Sequence, residues 1–196
     1  MFSSGSRPSL INCIFSGNYA TRGGGIFNDA SSPMLTNCTF TGNSNGMFNT
    51  DFSSPTIKNS ILWNNGSPEV TNEDSYSVPS YSNTVVEGQN KGTGVFDGNT
   101  DPLFVNAALP AGADGIFGTA DDGLALRPCS PAQNMGDNSF NTNTLDLAGQ
   151  PRIFSTTIDL GAYDYFCVEA TDCRRHFVVG FIGDLLPVLM LDRTDP

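Results

Sequence analysis

Positive charge is scarce in this sequence. The chain has 9 Lys and Arg against 20 Asp and Glu, so its formal net charge is −11, and charged residues make up only 15%. Nucleic acids and anionic membranes are bound through clusters of basic side chains, so we expect neither as a partner. The single histidine, His176, is too few for a histidine metal site and has no evident partner for a catalytic triad.

The sequence also has no apolar stretch of membrane-spanning length and no recognisable signal-peptide pattern in its first residues. The longest apolar run, residues 177–191, has 15 residues and contains Asp184 and Pro187, whereas a membrane helix needs about 17–25. We expect this run to pack against the preceding module or to form an irregular tail, in preference to a membrane anchor. The first residues lack a signal-peptide pattern, so we interpret the chain as a fragment of a longer protein, with any export signal upstream.

The sequence contains a four-fold repeat. Its copies are SRPSLINCIFSGN from Ser6, SSPMLTNCTFTGN from Ser31, SSPTIKNSILWNN from Ser53 and the more divergent SVPSYSNTVVEGQ from Ser77. The prolines lie at positions 8, 33, 55 and 79, which gives steps of 25, 22 and 24 residues. A period of 20–50 residues indicates a solenoid, a propeller or another repeat array.

The aligned copies alternate as short β-strands do. No apolar period of 3.6 residues and no leucine ladder is present, which excludes helical and leucine-rich solenoids. We therefore predict an all-β fold, a right-handed parallel β-helix of about four coils with stacked aromatic, cysteine and asparagine ladders and a β-rich C-terminal module. The inward columns are Leu10, Leu35, Ile57 and Tyr81, and Phe15, Phe40, Leu62 and Val86; an outward column is Ile14, Thr39, Ile61 and Val85; the asparagine columns are Asn12, Asn37, Asn59 and Asn83, and Asn18, Asn43 and Asn65.

The five cysteines form no clear disulfide framework. Cys13 and Cys38 occupy the same position in adjacent coils, and stacked side chains that point the same way have poor disulfide geometry. We therefore predict buried thiols there and a solitary Cys129. Cys167 and Cys173 are near enough in sequence to close a small loop, and their pairing stays open.

Carboxylates at matched coil positions would indicate a sugar-cleaving site. Asp29 and Asp51 each follow a Phe-Asn pair, but Asp29 aligns with Thr50, so the two acids are offset by one residue. No Lys or Arg stands in the same columns as a lyase base. A catalytic pair is therefore disfavoured, and we assign no catalytic residue.

Two further acidic segments have alternative interpretations. Glu69, Glu73 and Asp74 lie in residues 67–77, which we interpret as a solvated loop in preference to a ligand or metal site. Asp114, Asp121 and Asp122 lie in a glycine-rich loop that does not match an EF-hand. Ordinary turn chemistry is the interpretation that we favour for this loop, and a calcium site formed by these three aspartates is the alternative.

Two residue types point weakly to sugar chemistry. The only tryptophan, Trp63, follows an inward leucine, so we expect it to face outward, where it would stack on a sugar ring. Asn37 and Asn65 begin glycosylation sequons, but both lie in ladder columns, so we favour a buried structural role for each.

Four motifs follow the repeats in a fixed order: DPLFVN, LRPCSPAQNMGD, LDLAGQPRI and IDLGAYDY. With the repeats, they resemble choice-of-anchor Q proteins, which are bacterial surface or secreted proteins whose β-helix repeats are similar to those of pectin lyases. The resemblance covers about residues 6–165. It departs at Asn134, where the family usually has Asp, and at Asp164, where it usually has Glu, and it transfers no catalytic role.

These observations give an expected organisation and function. We expect β-helix repeats in residues 1–108, which end in a strand near 101–106 that enters the next module. We expect a capping module over the open end in 109–165, with a strand near 157–163, and an irregular or apolar tail in 166–196. We expect a non-catalytic extracellular or cell-surface module, stalk-like or adhesin-like, with a polysaccharide or cell-surface glycan as partner and end-to-end self-association. The alternative is a fragment of a polysaccharide lyase or glycoside hydrolase.

Overall fold

Short strands wind into a solenoid in the computed structural model, which describes residues 1–89, 95–154 and 156–165. The strands are β1 (Phe2–Ser4), β2 (Ser9–Ile11), β3 (Ile14–Ser16), β4 (Ile26–Asp29), β5 (Met34–Thr36), β6 (Thr39–Thr41), β7 (Met47–Thr50), β8 (Thr56–Lys58), β9 (Ile61–Trp63), β10 (Val70–Asn72), β11 (Ser80–Ser82), β12 (Thr84–Val86) and β13 (Val95–Phe96). One 3₁₀ turn, Asn138–Phe140, follows them.

These strands form three parallel sheets along the solenoid. The first sheet has the order β1-β4-β7-β10, the second β11-β8-β5-β2 and the third β13-β12-β9-β6-β3. The register aligns Leu35 with Ile57 and Phe40 with Leu62, as the repeat alignment requires. The prediction of a β-helix with about four coils is thereby confirmed.

The interior of the solenoid is apolar. Phe15 and Phe40 stack with ring centroids 4.4 Å apart, and each buried aromatic or aliphatic side chain contributes about 1.5–3 kcal/mol relative to exposure. The predicted inward columns are confirmed, since their members form one core cluster. Its fully buried members are Ile26, Leu35, Cys38, Phe40, Met47, Ile57, Leu62 and Val86.

Two asparagine ladders run through the coils in the same direction. Asn18 donates from Nδ2 to Asn43 Oδ1 at 2.9 Å, and Asn43 donates to Asn65 Oδ1 at 2.7 Å. A second ladder inside the first sheet runs from Asn28 to Asn49 and on to Asn72, with Nδ2–Oδ1 distances of 2.8 and 2.9 Å. Each amide thus donates to the asparagine of the next coil, and Asn43 and Asn49, which are buried, have their side-chain oxygens satisfied in this way.

The column that begins with Asn12 is different. Its four asparagines, which we call the docking asparagines, have φ angles of 53°, 55°, 47° and 48°, a left-handed conformation that asparagine tolerates better than most residues. Their side chains do not stack on one another but bond to the C-terminal module, so the ladder expectation is wrong for this column. The docking asparagines are Asn12, Asn37, Asn59 and Asn83.

The C-terminal module lies along the flank of the solenoid. The docking asparagines donate to it from all four coils, in sequence to Leu145 O, Asn141 Oδ1, Asp137 O and Met135 O at 2.9–3.4 Å. Its backbone therefore runs from the fourth coil back toward the first. These contacts place the module along the flank, and the expectation that it also covers the open end of the last coil stays a prediction.

The module has its own apolar core against the outer face of the third sheet. Ile61 and Val85 point outward from the solenoid, as predicted, and are covered by Leu124, Leu126 and Leu160. The strands expected near 101–106 and 157–163 are not formed: the described pairing within the module consists of the isolated bridges Phe104↔Leu126 and Leu145↔Pro151. Much of the remaining backbone of the module forms its hydrogen bonds within turns or with side chains.

Candidate functional site: the outer face of the first sheet

Three phenylalanine rings form a column on the outer face of the first sheet. Phe2, Phe27 and Phe48 pair in register on β1, β4 and β7, and successive ring centroids are 5.4 Å apart. Phe2 is 64% exposed, and Phe48 is nearly buried. The phenylalanine column therefore forms a narrow apolar strip that is exposed at Phe2, half-buried at Phe27 and covered at Phe48.

A column of polar side chains runs beside the rings. Ser4 donates to Asp29 Oδ2 at 3.3 Å, and Thr50 donates to Glu73 Oε2 at 2.7 Å. Side chains two residues apart on a strand share a face, so this polar column lies parallel to the phenylalanine column. It supplies carboxylate and hydroxyl groups along the whole strip.

Arg22 lies over the ring of Phe48, at one end of the phenylalanine column. Its guanidinium carbon lies 5.1 Å from the centre of the Phe48 ring, and Nη1 lies 2.9 Å from Glu73 Oε1. Both charged side chains are about half exposed, and an exposed ion pair contributes only about 0–1 kcal/mol. The pair of Arg22 and Glu73 therefore adds little to the stability of the fold.

The acids considered for catalysis are not brought together. Asp29 pairs in register with Thr50, so the predicted offset from Asp51 is present. Asp51 is exposed in a left-handed turn, φ 52°. A further acid, Glu87, which the repeat alignment did not single out, lies beyond β12 and accepts a hydrogen bond from Asn64 N at 2.7 Å.

Glu69 is the buried acid that the sequence did not reveal. It is only 4% exposed, so its interpretation as part of a solvated loop is wrong. Asn65 donates to it from the backbone at 2.8 Å and from Nδ2 at 2.6 Å, so Glu69 ends the first asparagine ladder. Burial, and a hydrogen bond with Glu87, raise the pKa of Glu69 to about 7.

The aspartates of the predicted calcium loop bind backbone N–H groups. Asp121 Oδ2 accepts from Ala113 N at 2.7 Å, and Asp114 Oδ1 accepts from Ile116 N at 2.8 Å. Asp122 accepts from Gly118 N and from the hydroxyl of Tyr163. Within residues 1–89, 95–154 and 156–165, no group of three or more His, Cys, Asp and Glu side chains is arranged to hold a metal ion. Calcium binding by Asp114, Asp121 and Asp122 stays a prediction.

Arg152 is the centre of a buried charge cluster in the module. It is 1% exposed and lies 2.7 Å from Asp164 Oδ2, with Asp146 and Asp159 also close enough to act on its charge. Burial raises the pKa of Asp164 to about 7, against the opposing effect of Arg152. Because the carboxylates also accept backbone N–H bonds, this cluster holds the module together.

The predicted buried roles are confirmed for Cys38 and Asn37 and only in part for Cys13 and Asn65, which are half-buried. Cys13 and Cys38 are free, and Cys38 is buried, although Cys13 is only partly so. Asn37 is fully buried and Asn65 lies within a ladder. Cys167, Cys173, His176 and the apolar run 177–191 lie outside the described residues.

The fold and site together define a parallel β-solenoid with an aromatic outer strip and a module along its flank. Residues 1–109 match the model of the family described as the right-handed β-helix region. Because this match covers more than half of the 196 residues, the chain belongs to that family. Comparisons with curated proteins and with solved structures gave no match. Among the residues described, no helix has the length and apolarity to cross a bilayer.

Proposed function

We propose that this chain is a non-catalytic extracellular or cell-surface module, stalk-like or adhesin-like, that binds a glycan along the phenylalanine column. The observation that carries the proposal is the row of rings at Phe2, Phe27 and Phe48 beside the polar column. The choice-of-anchor Q assignment and a bacterial origin belong to the same proposal, supported by the four ordered C-terminal motifs. End-to-end association and the calcium site stay predictions.

The chemistry of the strip suits a sugar chain. A saccharide ring has an apolar face of C–H groups and a rim of hydroxyls, and an aromatic ring covers the first while carboxylates and hydroxyls bond to the second. The ring spacing of 5.4 Å follows from the distance between coils, so the strip is straight and rigid. A rigid site loses little conformational entropy on binding.

A glycan-array screen of the purified chain, with and without calcium, tests this function. Phe27→Ala removes the central ring, and we expect it to abolish most binding on the array. Phe52→Ala is the control, because Phe52 is an exposed ring that stacks on Tyr76, outside the phenylalanine column. Binding that requires calcium would support a cation site at the Asp114 loop, and equal binding by Phe27→Ala and wild type would reject the phenylalanine column.

A polysaccharide lyase or glycoside hydrolase is the second candidate. Its best support is the pair Glu69 and Glu87, because a carboxyl with a pKa near 7 beside a second acid resembles a general acid with its partner. Against it, both carboxylate oxygens of Glu69 are occupied by Asn65. Release of reducing sugar from any polysaccharide bound on the array, abolished by Glu87→Gln, would establish this function in place of binding alone.

A further inference from the structure

A cleft lies where the end of β9 meets the flanking module, away from the phenylalanine column of the first sheet. Trp63, at the end of β9, was expected to face outward, and it does point away from the interior, but the module partly covers it. The ring forms one wall of a cleft of about 380 Å³. The cleft is also lined by Asn64, Asp101, Phe104, Asn106 and Arg127.

Several polar groups in this cleft are available to a ligand. Within the described residues, the indole N–H of Trp63 and the side-chain amides of Asn64 and Asn106 have no hydrogen-bond partner, and Asp101 uses only Oδ1, which accepts from Leu103 N at 2.7 Å. Arg127 donates from Nε and Nη2 to Val105 O, and its Nη1 has no acceptor in the part of the chain that the structure describes. The cleft therefore offers both donors and acceptors.

The walls of the cleft are fixed by hydrogen bonds. Arg127 N donates to Leu103 O at 2.9 Å, and Val105 N donates to Ala125 O at 2.8 Å. Leu103 is held in the left-handed region, φ 58°, a conformation that costs a non-glycine residue about 1–3 kcal/mol. A cleft held in this way is formed before a ligand arrives, and that reduces the entropy lost on binding.

The balance of groups selects the class of ligand. Asp101 and Arg127 are the charged residues of the lining and have opposite signs, and the whole chain carries a net charge of −11, which disfavours an anionic ligand. A large aromatic face, two amides and one acid suit a ring with C–H faces and hydroxyls. We propose that this cleft binds the neutral end unit of an oligosaccharide, independently of the phenylalanine column.

The single tryptophan makes a direct test available. Because Trp63 is the only tryptophan in the chain, its fluorescence reports occupancy of this cleft and of no other site. The full chain is titrated with neutral tetrasaccharides of glucose, mannose, xylose and galactose, and with trigalacturonate as the acidic probe, each up to about 10 mM. We expect a saturable change with at least one neutral sugar and a weaker response to trigalacturonate.

Variants locate the binding. Asn106→Ala and Arg127→Ala should each weaken the affinity by up to about tenfold, the loss expected for one hydrogen bond between a ligand and an exposed side chain. Asn64→Gly keeps the left-handed backbone at φ 58° and should weaken it as well, even if Arg127→Ala disturbs folding. Phe27→Ala should leave the titration unchanged, so failure of the phenylalanine column and failure of this cleft are separate results.

The proposal is overturned by any of three outcomes: no saturable change with any neutral sugar, unchanged affinity in Asn64→Gly and Asn106→Ala, or tighter binding of trigalacturonate than of every neutral probe.

Discussion

Asn28 contains a buried amide oxygen that has no donor within the described residues. It begins the second asparagine ladder, and its register partner in the preceding coil is Ser3, whose side chain is too short to continue the ladder. Every other step of the two ladders is an amide that donates toward the C-terminal coils. A single substitution that supplies a donor to this oxygen would extend the second asparagine ladder by one coil.

Ser3→Asn should therefore stabilise the chain. The new Nδ2 would donate to Asn28 Oδ1, while Ser31, which loses its contact with Ser3, keeps its bond to Ser6 O at 2.7 Å. We expect a gain of about 0.5–1.5 kcal/mol in the free energy of unfolding, measured by urea denaturation. Ser4→Asn is the control, because Ser4 faces outward beside Asp29; an equal effect of both variants would contradict the ladder explanation.

Glu69 makes stability depend on pH in an unusual direction. Its pKa is raised from the ordinary 4.5 to about 7 in the folded chain, so the folded state binds the proton more tightly than the unfolded state. The stabilisation is complete below about pH 4.5 and is lost as the pH rises toward 7. Because glutamine does not titrate, the free energy of unfolding of Glu69→Gln should fall by about 1–3 kcal/mol less than that of wild type over the same pH range.

Unfolding measured from pH 4.5 to 8.5 tests the role of Glu69. We expect wild type to lose stability across this range and Glu69→Gln to lose less, with the difference between them greatest above pH 7. Glu73→Gln is the control, since Glu73 forms an exposed pair with Arg22. A pH profile of Glu69→Gln that parallels wild type would show that Glu69 does not carry the effect.

At the scale of elements, the sequence predicted the strands well and the module poorly. Strand positions follow from alternation and from turn residues that recur in each copy, so local pattern is sufficient. The docking asparagines looked like ladder residues because nothing local distinguishes the column of Asn12 from that of Asn18. Their partners lie 52–133 residues away, and such separation leaves no trace in a single repeat.

The docking of the module depends most on Asn59. Its Nδ2 donates to Asp137 O at 3.0 Å and its Oδ1 accepts from Asp137 N at 2.9 Å, whereas Asn37 makes one long bond of 3.4 Å. Asn59→Gly keeps the left-handed backbone and should lower stability by about 1–3 kcal/mol, the sum for two partly buried bonds.

Asn37→Gly should cost less than Asn59→Gly, because it removes only the longer contact. Hydrogen exchange at residues 135–145 gives the sharper measurement, since we expect faster exchange there in Asn59→Gly and little change in the first sheet. Equal loss of stability in the two glycine variants would contradict the assignment of Asn59 as the main docking residue.

At the scale of the whole molecule, the solenoid is a rod that carries two candidate binding surfaces. The coil repeat fixes the spacing of the phenylalanine column, and the flanking module adds a cleft at Trp63. The repeat pattern could predict the first, because Phe2, Phe27 and Phe48 follow the coil register. It could not predict the second, because that cleft forms between segments that are distant in sequence.

Isothermal titration calorimetry with the strongest hit from the glycan array tests the central claim most directly. The proposed glycan-binding role predicts saturable binding by wild type, unchanged affinity in Phe52→Ala, at least about tenfold weaker affinity in Phe27→Ala and no release of reducing sugar. Equal affinity in wild type and Phe27→Ala would contradict binding along the phenylalanine column, and sugar release would contradict a purely binding function.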